Sequence, residues 1–177
     1  TLEQTALDAL RIKLGIEDVK VEQLRVFDNP ERDPRGWVMS VAHIATIPSE
    51  LAFVALAHPD VAPILIDGEG IILPDNQLDL PFEQMQILRE AVKELRRTYS
   101  LLPDPGHILE DEFTLLQLRE VHEAIHDEEI APDTFRREML PNLKPTGHRQ
   151  EGFVGKPPMM YRRRERKESK VRASRSI

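Results

Sequence analysis

Thirteen residues, Ser100 to Glu112 (SLLPDPGHILEDE), limit how this chain folds more than any other stretch. Two prolines there fix φ and remove N–H donors, and Gly106 loosens the backbone behind them, so neither a helix nor a long strand runs through. Ahead of the break, Met85, Leu88, Val92, Leu95 and Tyr99 recur at helical spacing, which predicts one long helix opening near Asp79 and Pro81. Its stripe suits a core face or a dimer seam. Behind the break the elements are short. Thr114 and Gln117 form a capping-box pair, and Leu118, Val121 and Ile125 mark the inner face of a helix ending near His126. Pro132 opens a second helix that Pro141 closes, with Phe135 and Met139 on one side and Asp133, Arg136 and Arg137 on others. Residues 143–164, with Gly147, Gly152 and Gly155, read as two short strands and a loop. The expected division is 1–100, a linker over 101–111, a second domain over 112–164 and a basic, disordered tail over 165–177.

The first part mixes helix and strand. Thr1 and Gln4 fit a capping box and Gly15 suits a helix end, so residues 2–14 read as helix. Residues 19–27 and 36–47 read as strands, separated by the turn cluster DNPERDPRG. Residues 51–57 suit a strand or a short helix, and 62–74 a hairpin around Gly68 and Gly70. This combination is an α+β chain whose first part is a mixed α/β domain.

Charge separates the same two parts. The net charge is −7, yet residues 131–177 hold thirteen Lys and Arg against five acids. Such an acidic bulk with a basic end fits a chain of which one part approaches a polyanion, or one with a merely solvated tail. There is no Cys, which excludes disulfides and thiolate metal sites. No apolar run approaches the roughly 20 residues of a membrane span. With no signal-like start, a cytoplasmic location and no membrane partner are expected. The chain begins at Thr1, inside a helix, so upstream residues of the first domain are expected to be missing. His122 and His126 have the spacing of helical metal ligands but no third ligand nearby, and Glu123 and Asp127 favour a solvated face instead.

Two short helices with arginines on the outer side of the second, followed by a Gly-rich basic hairpin, are the plan of a winged helix-turn-helix. That plan serves DNA binding and, in other proteins, protein interaction. The segments EFTLLQLREVHEAI, PDTFRREMLPN and PTGHRQEGFVGKPPMMYR resemble the winged helix of the Nudix-related transcriptional regulators of NAD metabolism, and FDNPERDPRGWVMSVAHIA resembles a segment of ADP-ribose-type Nudix proteins. The resemblance implies a Nudix-like domain followed by a winged helix, an operator of double-stranded DNA, a homodimer, and ADP-ribose or a related NAD-derived nucleotide as effector. The DNA-binding candidates it suggests are Thr134, Arg136, Arg137, Lys144, Arg149, Lys156 and Arg162. For the effector they are Arg32 and Arg35, which can meet phosphates or flank a solvated turn, and Trp37, which can stack on a ring or pack in the core.

Nudix hydrolases carry Arg-Glu-aliphatic-x-Glu-Glu-x-Gly-aliphatic on their catalytic helix. Laid on LDALRIKLGI, Leu10, Gly15 and Ile16 match that pattern, but Asp8 stands at the Arg position and Ala9, Ile12 and Lys13 at the glutamates. Mg²⁺ needs carboxylate oxygens held together, and this helix supplies none at those positions. The expectation is a non-catalytic ligand sensor with no required cofactor, no metal site and no catalytic residue, acting as a repressor of NAD-biosynthesis genes. The alternative is a nucleotide pyrophosphatase whose metal site has moved to acids such as Glu3, Asp67 or Glu69.

Overall fold

The computed structural model of the protein describes residues 1–59, 61, 63–66, 71, 72, 80, 82–152 and 155–164. Helix α1 (Leu2–Leu14) starts where the Thr1 hydroxyl accepts from the Gln4 N–H at 3.2 Å and ends where Gly15 takes φ 65°. Only half of the expected capping box forms, because the Gln4 side chain turns forward to Asp8 at 3.1 Å. Strands β1 (Glu22–Phe27) and β2 (Ser40–Ile44) pair antiparallel, with an irregularity between Gln23 and Arg25. Both are shorter than the sequence suggests: β1 starts three residues later but ends at Phe27 as expected, and β2 loses residues 36–39 beside the proline-rich turn and 45–47 at its other end. Residues 49–56 settle as helix α2 (Ser49–Leu56) rather than strand. The expected hairpin is present as β3 (Leu65–Ile66) and β4 (Ile71–Ile72), paired Leu65 to Ile72; its glycines at 68 and 70 lie outside the described residues.

The long helix α3 (Gln84–Leu101) begins after Phe82 and Glu83, both at positive φ; the proposed start residues Asp79 and Pro81 lie outside the described residues. The turn after β1 holds this helix start. Arg32 donates to the Phe82 carbonyl at 3.1 Å, and Asn29 donates to the Glu83 carboxylate at 2.7 Å. Of the apolar stripe on α3 only Tyr99 is fully buried; Met85, Leu88, Val92 and Leu95 are half-buried.

Residues 101–111 carry little regular structure but do not run as a solvated connection. Pro103 and Asp104 are buried. The Asp104 carboxylate accepts from the Tyr99 hydroxyl at 2.8 Å, from the N–H groups of Ile108 and Leu109 at 3.1 and 3.0 Å, and from the Arg163 guanidinium. Gly106 lets the chain pass close to Thr46, whose hydroxyl donates to its carbonyl at 2.8 Å; a Cβ at position 106 would lie 2.3 Å from that hydroxyl. Close approach, not a positive φ, is what requires glycine there.

Strand β5 (Phe113–Thr114), absent from the sequence expectation, leads into helix α4 (Leu115–His126), which carries the complete capping box of Thr114 and Gln117. Helix α5 (Pro132–Met139) follows, and a 3-10 turn (Leu140–Asn142) with Pro141 closes it. Strands β6 (Leu143–Arg149) and β7 (Met159–Arg163) complete a sheet ordered β5-β7-β6. Phe113, Leu118, Phe135, Met139 and Leu143 form its core, flanked by Leu109, Leu115, Ile130 and Tyr161. This small core is the frame on which the outer face of α5 is carried. The proposed tail, 165–177, lies outside the described residues. Among the described residues no helix is long and apolar enough to cross a membrane.

Candidate nucleic-acid interface

Helix α5 is sided by its sequence. Phe135 and Met139, four apart, lie on one face and are buried, at 2% and 6% exposure. Arg136 and Arg137 are therefore exposed, and among the described residues neither makes an ion pair. Asp133 and Glu138 are exposed beside them, and Thr134 is half-buried. Both arginines sit in the last turn, where their charge also favours the negative end of the helix dipole.

The remaining candidate cations lie on the β6–β7 hairpin. Lys144 and Arg162 are cross-strand partners and both exposed. Farther along, Arg149 donates to the Pro157 carbonyl at 2.7 Å, so its guanidinium braces the wing as well as charging it. Lys156 is exposed beside Gly155, whose φ of 103° only glycine adopts readily. Arg162 is not free: it pairs with Glu112 through Nε at 3.1 Å and through Nη2.

Sequence reasoning missed Arg163 and Glu112 and misjudged the surroundings of His122. Alternation along β7 was the available signal, since Tyr161 and Arg163 share the inner face while Arg162 faces out. The guanidinium of Arg163 pairs with Asp104, donates to the carbonyls of Leu109 and Glu110, and lies 5.1 Å from the Phe113 ring centre. Burial pushes the Asp104 carboxyl up, but Arg163, the Leu109 N–H and the Tyr99 hydroxyl outweigh it and hold it below the usual range. Burial, together with that carboxylate, raises the Tyr99 phenol. His122 corrects the expected solvated face. It is 2% exposed, bonded to the Pro103 carbonyl and set edge-on between the rings of Tyr99 and Phe135 at 5.4 and 5.0 Å. The helix-pair signal placed His122 beside His126 correctly but could not show that α3 covers it.

The effector candidates in the first part share one turn. Arg32 is nearly buried and lies 3.6 Å from the Glu83 carboxylate. Arg35 grips Asp33 at 2.9 and 2.7 Å and holds its carboxyl down to about 2. Each arginine thus already meets a carboxylate, although the Arg35 side chain is 77% exposed. Trp37 does not pack in a core: it is 66% exposed, with its indole N–H donating to the Asp28 carbonyl at 3.0 Å. Ala9, Ile12 and Lys13 are exposed on α1. An open cleft of about 610 Å³ runs between α1 and β2, lined by apolar side chains with Lys13 and His43 as its polar groups. Glu3 is exposed at the start of α1, and residues 67 and 69 lie outside the described residues.

Residues 105–163 match the family described as the NrtR DNA-binding winged helix domain. The chain is also similar, at 28% identity and a TM-score of 0.67, to the crystal structure of Shewanella oneidensis NrtR complexed with a 27mer DNA, over 93% of this chain and 73% of that one. The architecture is NrtR-like. It joins a Nudix-like part to a winged helix. The fold of the whole is shared with a MutT/nudix family protein from Enterococcus faecalis, at a TM-score of 0.68 and 20% identity, over 93% of this chain and 70% of that one. Among curated proteins, the chain is 26% identical over 151 residues to the ADPR responsive transcriptional repressor NtrR of Acinetobacter baylyi. Those residues are 85% of this chain, which spans 58% of that relative's length. In NrtR-like terms, α4 and α5 are the helix pair and β6–β7 is the wing.

Proposed function

We propose that the chain is a DNA-binding transcriptional repressor whose α5 enters the major groove of an operator while the β6–β7 wing follows the backbone. One observation carries this reading: α5 buries Phe135 and Met139 and leaves Arg136 and Arg137 exposed without carboxylate partners among the described residues. Guanidinium groups so placed can pair with guanine edges or phosphates. The NrtR relative crystallised with DNA supports the same partner. The proposed contacts are Thr134, Arg136, Arg137, Lys144, Arg149, Lys156 and Arg162.

The reading extends to regulation. The Nudix-like part, with Ala9, Ile12 and Lys13 at the positions of the metal-binding glutamates, acts as a sensor and not as a hydrolase. Its effector is ADP-ribose or a related NAD-derived nucleotide, as the name of the Acinetobacter relative supports, and the controlled genes are those of NAD biosynthesis. A homodimer presents two winged helices to a palindromic site. For a switch to operate, the effector must bind the DNA-competent and DNA-incompetent states with different affinity. An electrophoretic shift tests the proposal, with promoter DNA of NAD-biosynthesis genes and a scrambled duplex, each with and without ADP-ribose. The expected result is a sequence-selective shift that ADP-ribose alters. A shift indifferent to sequence, or none at low salt, rejects it.

A further inference from the structure

Glu112 lies just before β5, opposite β7, and both of its carboxylate oxygens are engaged by the wing. Oε1 accepts from Arg162 on β7, and Oε2 accepts from Nδ1 of His148 on β6 at 3.2 Å. The pairing of Phe113 with Tyr161 fixes this meeting, since it sets the preceding residue beside Arg162. The Arg162 and His148 side chains are 57% and 71% exposed, whereas Glu112 is 24% exposed. A single, more sheltered acid thus gathers two solvent-facing donors of the wing. Arg162 first and His148 second hold the carboxyl below the ordinary range, which agrees with the contacts that both donors make to it.

We infer that Glu112 is a selectivity residue: it occupies the wing's Arg162 and His148 so that DNA phosphates must displace a carboxylate to reach them, which suppresses binding to unrelated duplex. The inference rests on the DNA-binding reading above. An exposed ion pair is weak enough for a phosphate to exchange into it once α5 has docked, and strong enough to bias a wing that touches DNA without that docking.

Fluorescence anisotropy with an operator duplex and an unrelated duplex, over a salt series, tests this in the full chain. Glu112→Gln should tighten binding to unrelated duplex roughly two- to fivefold, the strength of one exposed pair, and steepen log K against log salt by about 0.9 for each cation that gains a phosphate. The ratio of operator to unrelated affinity should fall. Glu112→Asp, which keeps the charge but shortens its reach, should show a smaller gain in the same direction, and it covers the case in which the glutamine variant fails to melt cooperatively. Adding Arg162→Gln to either variant should remove most of the gain. Unchanged affinity in the Glu112 variants overturns the inference, and so does weaker binding, which would make Glu112 a support that aims Arg162 at DNA. If the unmodified chain binds neither duplex at low salt, the DNA-binding reading fails together with this inference; if it binds the operator and the variants match it, only this inference fails.

Discussion

At the scale of single residues, His122 shows how burial turns a side chain into a condition for folding. Its ring fills the space between Tyr99 of α3 and Phe135 of α5, so it contacts the elements on both sides of its own helix. Burial holds its pKa below the ordinary 6.5, against the opposing pull of the Pro103 carbonyl. The charges and titratable groups around it are His126, which disfavours a second positive charge, and Asp104, which favours one. The folded state therefore takes up a proton at lower pH than the unfolded chain does. The stability linked to this group is complete above about pH 6.5 and is lost as pH falls from there towards the lower folded value. The melting temperature should accordingly drop between pH 7.5 and pH 5.5, and His122→Gln should flatten that drop while lowering stability at pH 7.5. An equal drop in the variant would show that another group drives it. Asp104 adds a second window, because its depressed pKa means that stability is also lost as pH falls below about 3.8.

At the scale of elements, the decisive contact is made by β7 with the segment after α3. Arg163 and Asp104 are 59 residues apart, their side chains are 15% and 0% exposed, and together they pin a wing strand to the end of the long helix. Arg96 of α3 adds a bond to the Ile125 carbonyl of α4 at 3.0 Å. Removing one partner strands a buried charge, so Arg163→Met or Asp104→Asn should each cost about 3–5 kcal/mol in chemical denaturation. The double variant should cost clearly less than the two combined, because the second substitution removes the charge that the first left unpaired. Additive losses would mean that the two residues stabilise the chain separately. Local features of this region were legible in the sequence: the capping box at Thr114, the proline opening of α5 and the inward pair Phe135 and Met139 all follow from spacing within one turn. Non-local features were not. Strand β5 has only two residues and exists because β7 pairs with it, Phe113 with Tyr161 and Thr114 with Met160, and Ser100–Glu112 reads as a flexible break until Arg163 arrives to satisfy Asp104. For the same reason Arg32, Arg35 and Trp37 could be selected from a turn motif, but their engagement with Glu83, Asp33 and the Asp28 carbonyl could not.

At the scale of the whole molecule, the charge separation bears on the proposed binding to DNA. A chain of net charge −7 is repelled by a polyanion overall, so binding depends on the local excess of thirteen basic residues over five acids in 131–177. Affinity of this origin comes from counterion release, and log K should fall linearly with log salt at about 0.9 for each phosphate neutralised. The two arginines of α5 then make distinguishable contributions. Should one of them read a base edge, its change to alanine costs about 1–3 kcal/mol on the operator and relaxes preference at one position, with little effect on unrelated duplex. Should it contact phosphate, the loss is similar for all sequences and the salt slope becomes shallower by about 0.9. Both arginines lie in the last turn of α5, but Arg137 precedes Glu138 directly, whereas Arg136 stands one residue nearer the start of the helix, the end that a helix-turn-helix directs at base edges. Arg136→Ala should therefore lower operator affinity with loss of selectivity, and Arg137→Ala should lower affinity for both duplexes and reduce the slope. Competition titrations with single-base operator variants, repeated at three salt concentrations, separate the two outcomes. If neither substitution changes affinity or slope, α5 does not face DNA and the winged helix serves a protein partner instead.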